Sequence, residues 1–126
     1  MDDLTDRFIA ALHRLHTDSE PDELVELFAD DATLSKGGLP HVEHGEDGAR
    51  TFWQDYRDVF DDVEATFTRR IDGDEAVALE WTSRGTLRDG QPIEYDGVSV
   101  LEGDGTRIQA FRTYYDTAAF IRDSER

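Results

Sequence analysis

The sequence has no cysteine, a single lysine, a single methionine and three prolines. Without cysteine, disulfide bonds and thiol chemistry are excluded. No segment approaches the ~18 consecutive apolar residues of a membrane-spanning helix. The opening residues Met1-Asp2-Asp3 also lack the basic and apolar regions of a secretory signal. We therefore expect a cytoplasmic protein that has no membrane partner.

Basic residues are scarce as well: the sequence has 13 of them and 30 acidic residues, which gives a formal net charge of −17. Such a surface repels phosphate groups, so we expect no nucleic-acid partner. The acidic residues are spread along the chain instead of forming a tail. This pattern is typical of a salt-loving (halophilic) cytoplasm, where a Debye length of about 3 Å at molar salt screens the self-repulsion.

A length of 126 residues predicts one domain, residues 1–126, that is long enough to bury a core. Seven Phe, four Tyr and two Trp exclude a disordered chain. Apolar residues recur at helical spacing over residues 3–17, 22–30 and 47–60. Alternating segments at 63–72, 76–87, 91–101 and 107–115 are separated by Asp/Gly turns, as in an antiparallel meander. The order predicts an α+β fold with three N-terminal helices packed on one antiparallel sheet.

A specific resemblance rests on three segments. These are Leu27-Phe28-Ala29-Asp30-Asp31-Ala32-Thr33, the helix 45–60, and the ending from Gly105-Thr106-Arg107-Ile108 through Tyr114-Tyr115-Asp116. Together they resemble the nuclear transport factor 2-like superfamily, and within it the SnoaL-like and ketosteroid isomerase-like proteins. The resemblance implies a cone-shaped curved sheet, a pocket between that sheet and the helices, and homodimers formed through the outer face of the sheet.

The catalytic groups of the ketosteroid isomerases do not carry over to this sequence. Those enzymes use an Asp base, with a Tyr and a protonated Asp as oxyanion donors. The corresponding positions here read Lys36, Phe8 and Ser99. We therefore predict no steroid isomerase of the known mechanism.

The same resemblance places a set of side chains around the pocket. Its candidate catalytic residues are Glu80, Arg84 and Lys36, and its candidate substrate-binding residues are Phe8, Phe28, Trp53, Thr82, Tyr95, Ser99, Phe111, Thr113 and Tyr115. Glu80 and Arg84 lie about 13 Å apart along one strand face and cannot form a tight pair by themselves. A buried Glu80 near Lys36 could act as acid or base, and Arg84 could bind a carboxylate or an enolate.

The strand 76–87 can be oriented in two ways. Alternation alone favours Val77, Leu79 and Trp81 as the apolar face, with Glu80 and Arg84 in water. The resemblance favours the reverse, in which the apolar set lies on the outer face and is covered by a second subunit. We expect the second arrangement, a homodimer with Trp81 at or near the subunit contact.

The remaining ionisable side chains point to no defined site. His41 and His44 form an H-x-x-H pair without a third ligand, so we predict no metal site, and an acid–base role for one of them at the pocket mouth is the alternative. His13 and His16 lie off the apolar stripe of the first helix and are expected at the surface. Lys36 could form a Schiff base only with a depressed pKa, and a solvated or salt-bridged lysine is favoured.

Two functions of different classes remain open. One is a cofactor-independent acid–base enzyme (isomerase, cyclase, dehydratase or hydrolase type) acting on a small, partly apolar metabolite. The other is a non-catalytic dimeric module that binds a small ligand or a protein partner. A carboxylate buried in the pocket would favour the enzyme, and a pocket filled by its own side chains would favour the module.

Overall fold

The computed structural model describes residues 1–37 and 39–120. The helices are α1 (Asp2–Asp18), α2 (Asp22–Val25) and α3 (Gly45–Asp58), and a short 3-10 turn, Thr117–Phe120, follows the last strand. The strands are β1 (Phe28–Lys36), β2 (Val42–His44), β3 (Phe60–Asp72), β4 (Ala76–Leu87), β5 (Pro92–Gly103) and β6 (Ile108–Tyr115). They form one sheet in the order β2-β1-β6-β5-β4-β3.

The sheet is mixed, which corrects the expected all-antiparallel arrangement. The meander β3–β6 is antiparallel as predicted, but β6 ends beside β1 and runs parallel to it. The pairing is parallel because α3 carries the chain from β2 to the far edge of the sheet before the meander returns. Two register shifts in β3, after Phe60 and after Phe67, interrupt its ladder with β4. Such bulges bend a strand, and the sheet curves around the helices.

The second predicted helix is much shorter than the pattern suggested. It ends at Val25, and β1 begins at Phe28, inside the segment 22–30 that was expected to be helical. Leu24, Val25, Leu27 and Phe28 are all buried. An unbroken apolar run of this kind suits a buried strand as well as a helix, so periodicity alone cannot separate the two.

The helices cover the concave face of the sheet and bury the main core against it. Leu4, Phe8 and Leu15 of α1 are 1% exposed, and Leu34 of β1 and Leu101 of β5 are fully buried opposite them. None of the helices that the structure describes is long and apolar enough to cross a membrane. The open end of this layered arrangement holds the site described next.

Candidate functional site

A cavity of about 150 Å³ lies between the helices and the concave face of the sheet. It is strongly aromatic, since every aromatic residue of the chain except Phe28 and Tyr114 lines it. A dry cavity of this volume holds one molecule about the size of benzene. The site is therefore suited to a ligand with a single ring or a short branched skeleton.

The aromatic wall is locked by ring-to-ring packing. Trp53 of α3 has ring centroids of Phe52 and Phe111 at 5.0 Å and of Phe8 at 6.0 Å. At the other end, Trp81 meets Tyr95 at 5.4 Å in a T-shaped arrangement. Offset and edge-to-face contacts at these distances are attractive, so the cavity is largely preformed.

One row of polar side chains crosses the apolar floor. Lys36 of β1 is the register partner of Thr113 of β6, which is the partner of Ser99 of β5. The indole nitrogen of Trp81 donates to Ser99 Oγ at 2.9 Å, and Ser99 Oγ lies 3.0 Å from Thr113 Oγ1. The hydrogen bond between Ser99 and Thr113 uses the proton of only one of the two hydroxyl groups. The proton of the other hydroxyl stays available for a further acceptor. The row thus keeps one hydroxyl donor free, and both hydroxyl residues line the cavity.

Lys36 carries the one formal charge among the described residues that line the cavity, and no carboxylate lines it there. Its Nζ lies 5.9 Å from the centroid of the Phe52 ring. A cation over a ring face is attracted to it by about 0.5–1 kcal/mol or more. Lys36 is half-buried, and the expectation of a solvated or salt-bridged lysine stays a prediction.

Tyr56 and His16 form a second polar group in the wall. His16 Nε2 and the Tyr56 hydroxyl are 2.7 Å apart, and Tyr56 lines the cavity. Burial, with the positive charges of Arg57 and His13, lowers the pKa of His16 to about 4. Burial raises the pKa of the Tyr56 phenol well above its usual range. Both side chains are therefore uncharged at neutral pH.

Tyr95 supplies another neutral phenol. Burial raises its pKa to about 12, although a hydrogen bond with Ser83 acts in the opposite direction. Ser83 Oγ in turn donates to the backbone oxygen of Glu64 at 3.3 Å. Among the described residues of the wall, no negatively charged side chain compensates the charge of Lys36.

Comparisons with known proteins agree with this geometry. The family model described as SnoaL-like domain matches residues 5–111. The chain belongs to the SnoaL-like domain family. No curated protein sequence matches it.

Solved structures with the same fold are numerous and distant in sequence. An NTF2-like protein of unknown function from Burkholderia pseudomallei superposes with a TM-score of 0.83 at 20% identity, over 96% of this chain and 94% of that one. A ketosteroid isomerase-like protein from Catenulispora acidiphila, solved with trimethylamine, has a TM-score of 0.78 at 19% identity, over 89% and 87%. An epoxide hydrolase from M. tuberculosis has a TM-score of 0.72 at 19% identity, over 92% and 85%. At these identities the likeness establishes the NTF2-like fold alone.

Most of the predicted site residues of this SnoaL-like domain lie together at the cavity. The residues that line it are Phe8, Lys36, Trp53, Tyr95, Ser99, Phe111, Thr113 and Tyr115. Phe28 lies one layer behind, with its ring 6.3 Å from Trp53 and 6.4 Å from Phe111. The roles of these residues in binding stay predictions.

Glu80, Thr82 and Arg84 do not face the cavity, so their proposed orientation is wrong. They point from the outer face of β4, where they pair with neighbouring strands. Glu80 lies 3.9 Å from Arg69, and Arg84 lies 3.5 Å from Glu94. Thr82 donates to Asp96 at 2.8 Å. The physical reason is the greater gain from burying the alternate set of residues in β4.

That alternate set includes Trp81, which lines the cavity instead of pointing outward as expected. Gly97, its register partner on β5, leaves room for the indole, because a Cβ at this glycine would collide with the ring. The homodimer itself stays a prediction, but the expected position of Trp81 on the outer face of the sheet is wrong.

His41 precedes β2 and His44 ends it, and with the described residues the two form no metal site. His41 Nε2 lies 2.7 Å from Glu43 Oε1 in an exposed pair. Within residues 1–37 and 39–120, no group of three or more His, Cys, Asp or Glu side chains is placed to hold an ion.

The sequence interpretation missed His16 and Tyr56. His16 is 5% exposed, contrary to the expected surface position. The signal was present, because His16 follows Leu12 by four residues, as Leu12 follows Phe8. Likewise, Tyr56 follows Phe52 by one helical turn and therefore shares its face.

Proposed function

We propose that this SnoaL-like domain binds one small, mostly apolar molecule that carries a carbonyl or carboxylate oxygen. The observation that carries the proposal is the donor-rich polar row of Lys36, Thr113 and Ser99 in an otherwise aromatic cavity of about 150 Å³. A few convergent polar groups in an apolar pocket are the usual make-up of a ligand site. An oxygen placed against this row would accept from both the amino group and the free hydroxyl proton.

The size of the cavity supports the expectation that steroids are not substrates. A space that suits one six-membered ring leaves no room for a four-ring skeleton. The positions of Phe8, Lys36 and Ser99 also leave no carboxylate base in the described wall. Under this proposal, the ligand is a compact metabolite.

The experiment is a titration monitored by tryptophan fluorescence, since both tryptophans, Trp53 and Trp81, line the cavity. Benzoate, toluene and the cations benzylammonium and trimethylammonium are compared in high KCl, which screens the net charge of −17. We expect benzoate to bind best. The trimethylamine complex of the Catenulispora protein makes trimethylammonium the sharpest competitor, because aromatic cages bind such cations.

Two variants provide a matched pair, because each removes one positive charge. Lys36→Met should weaken benzoate binding roughly tenfold, which is about 1.4 kcal/mol, and leave toluene binding unchanged. Arg84→Met changes the net charge equally but lies on the outer face, so benzoate affinity should stay within about twofold. Tighter binding of the cations, or equal losses in both variants, would refute the proposal.

A second candidate is cofactor-independent acid–base catalysis in the same cavity. It is favoured by the hydrogen-bonded pair of Tyr56 and His16, which places two ionisable groups at the wall. The epoxide hydrolase from M. tuberculosis is a member of the same fold with hydrolytic chemistry. Turnover of a bound ligand, lost in Tyr56→Phe while binding remains, would establish this function.

A further inference from the structure

Tyr56 and His16 together separate the aromatic cavity from an open groove on the surface. Tyr56 lines the aromatic cavity, whereas His16 lines an open groove on the other side, with His13, Arg57 and Glu64. A hydrogen bond of 2.7 Å joins the Tyr56 phenol oxygen to His16 Nε2. The polarity that Tyr56 presents to the cavity therefore depends on which of the two groups donates.

The available donors and acceptors favour one direction for the hydrogen bond between Tyr56 and His16. If His16 carried its proton on Nε2, it would donate to Tyr56, and the buried phenol proton would have no acceptor among the described residues. Leaving such a donor unpaired is costly. If the proton is on Nδ1, the ring nitrogen farther from Tyr56, it lies toward the groove, and the phenol donates to His16. The second arrangement satisfies both groups and leaves the oxygen lone pairs of Tyr56 for the cavity.

The charges around His16 keep the pair neutral. Arg57 of α3 and His13 of α1 are the nearby positive groups, and together with burial they disfavour the imidazolium form. Arg57 is fixed in place because its Nε donates to the backbone oxygen of Leu15 and its Nη1 donates to that of Phe60. A neutral His16 can accept the hydrogen bond that the Tyr56 phenol donates at neutral pH.

The acceptor and the donor row lie in one cavity. Lys36 Nζ lies 5.9 Å from the centroid of the Phe52 ring, and Tyr56 follows Phe52 by four residues on α3. Both Lys36 and Tyr56 line the cavity of about 150 Å³, which is large enough for one six-membered ring. A single ligand can therefore contact both side chains.

We propose that the natural ligand carries a hydroxyl group in addition to its carbonyl or carboxylate group, and that Tyr56 accepts the hydrogen bond from this hydroxyl while His16 holds the phenol in the accepting orientation. The ligand class is a one-ring hydroxy acid or hydroxy ketone. This inference rests on the proposed function, since it assumes that the oxygen of the ligand lies at Lys36. Tyr56 is the specificity residue, and His16 is a positioning residue.

Binding of matched ligands tests the inference. The compounds 4-hydroxybenzoate and 4-methylbenzoate are similar in size and differ in the hydrogen-bond donor. We expect 4-hydroxybenzoate to bind roughly fivefold more tightly. Tyr56→Phe should abolish this ratio, whereas Arg84→Met, on the outer face, should preserve it. His16→Leu should reduce the ratio toward one, and His16→Gln, which keeps an acceptor, should preserve most of it.

A nuclear magnetic resonance measurement tests the direction of the hydrogen bond without any ligand. Long-range ¹H–¹⁵N correlations of the imidazole rings distinguish the two tautomers, and His16→Gln assigns the signals. We expect the Nδ1–H tautomer for His16, changing in Tyr56→Phe, which removes the donor. Circular dichroism of each variant verifies folding.

The outcomes separate the two proposals. If benzoate does not bind at all, the proposed function fails, and this inference fails with it. If benzoate binds but the 4-hydroxyl group adds no affinity, only the present inference is overturned. An Nε2–H tautomer would overturn it as well, because Tyr56 would then be a donor toward the cavity.

Discussion

The two faces of β4 carry opposite kinds of side chain and do different work. On the concave face, Val77 and Leu79 are at most 1% exposed, and Trp81 lines the cavity. On the outer face, Glu80 and Arg84 make exposed ion pairs with adjacent strands. Residues one position apart thus belong to an aromatic cavity and to a solvated surface, as the two-residue period of a strand requires.

The same contrast holds for charge. The chain carries a formal net charge of −17, but the described cavity wall holds one cation, Lys36, and no carboxylate. The acidic residues lie outward, where water and counter-ions solvate them. Surface charge and cavity polarity are therefore set by different faces, and the composition of the whole chain does not predict the polarity of the cavity.

The largest expected effect separates neighbouring residues on β4. Leu79 is fully buried, so Leu79→Ala should lower the free energy of unfolding by about 2–5 kcal/mol, through lost burial and a residual cavity. Glu80→Ala is the control and should change it by less than about 1 kcal/mol, because its ion pair is exposed. Urea denaturation measures both. Similar losses for the two variants would contradict the observed orientation of the strand.

The orientation of β4 shows what the sequence can and cannot predict. Alternation correctly separated Val77, Leu79 and Trp81 from Glu80 and Arg84. The assignment of each set to a face failed because it depended on an expected second subunit. The simpler rule, that apolar residues face the helices of the same chain, would have predicted the structure.

The polar row of the site could be predicted only in part. Ser99 and Thr113 were recognised as pocket residues, but the hydrogen bond that joins them depends on the register of β5 and β6. Lys36 reaches them through the parallel pairing of β1 with β6, between segments far apart in the sequence. Single-sequence patterns report which residues share a face and do not report which residues become neighbours across strands.

His16 gives the next largest expected effect, on pH dependence. Its pKa of about 4 in the folded state lies below the ordinary histidine value of 6.5, so the unfolded state binds the proton more tightly. Its stabilising contribution is therefore complete above pH 6.5 and is lost as the pH falls toward 4. The full loss is about 3 kcal/mol, at 1.36 kcal/mol for each pH unit of the pKa difference.

The measurement is a series of urea denaturation curves between pH 7 and pH 4. His16→Gln should flatten the decline in this interval, whereas His13→Gln, an exposed neighbour on α1, should retain it. Asp22 and Asp104 have lowered pKa values and destabilise the fold only at lower pH, below their usual value of 3.8. A decline that is equally steep in His16→Gln would show that the buried imidazole is not its source.

Salt tests the outer surface as a whole and should have a smaller effect. At net −17 the folded chain repels itself, and molar KCl reduces the Debye length to about 3 Å. We expect the melting temperature to rise by roughly 4 °C, or about 1 kcal/mol, between low salt and about 2 M KCl. Potassium glutamate at equal concentration controls for the identity of the anion. A flat or falling melting temperature would contradict this prediction.

The smallest expected effect concerns one ion pair on the outer face, between Glu80 and Arg69. Their atoms Oε1 and Nε are 3.9 Å apart, and the Arg69 side chain is 70% exposed. In water, the attraction between such charges is offset by solvation and by the entropy of ordering two long side chains. A double-mutant cycle with Glu80→Gln and Arg69→Met should give a coupling energy of about 0.2–0.5 kcal/mol that decreases further in molar KCl.

Benzoate binding should be unchanged in both variants, since neither residue lines the cavity. A coupling above about 2 kcal/mol, or a loss of benzoate binding in Glu80→Gln, would mean that Glu80 is desolvated in solution, and the contrast between the two faces of β4 would then fail at the residue that defines it most sharply.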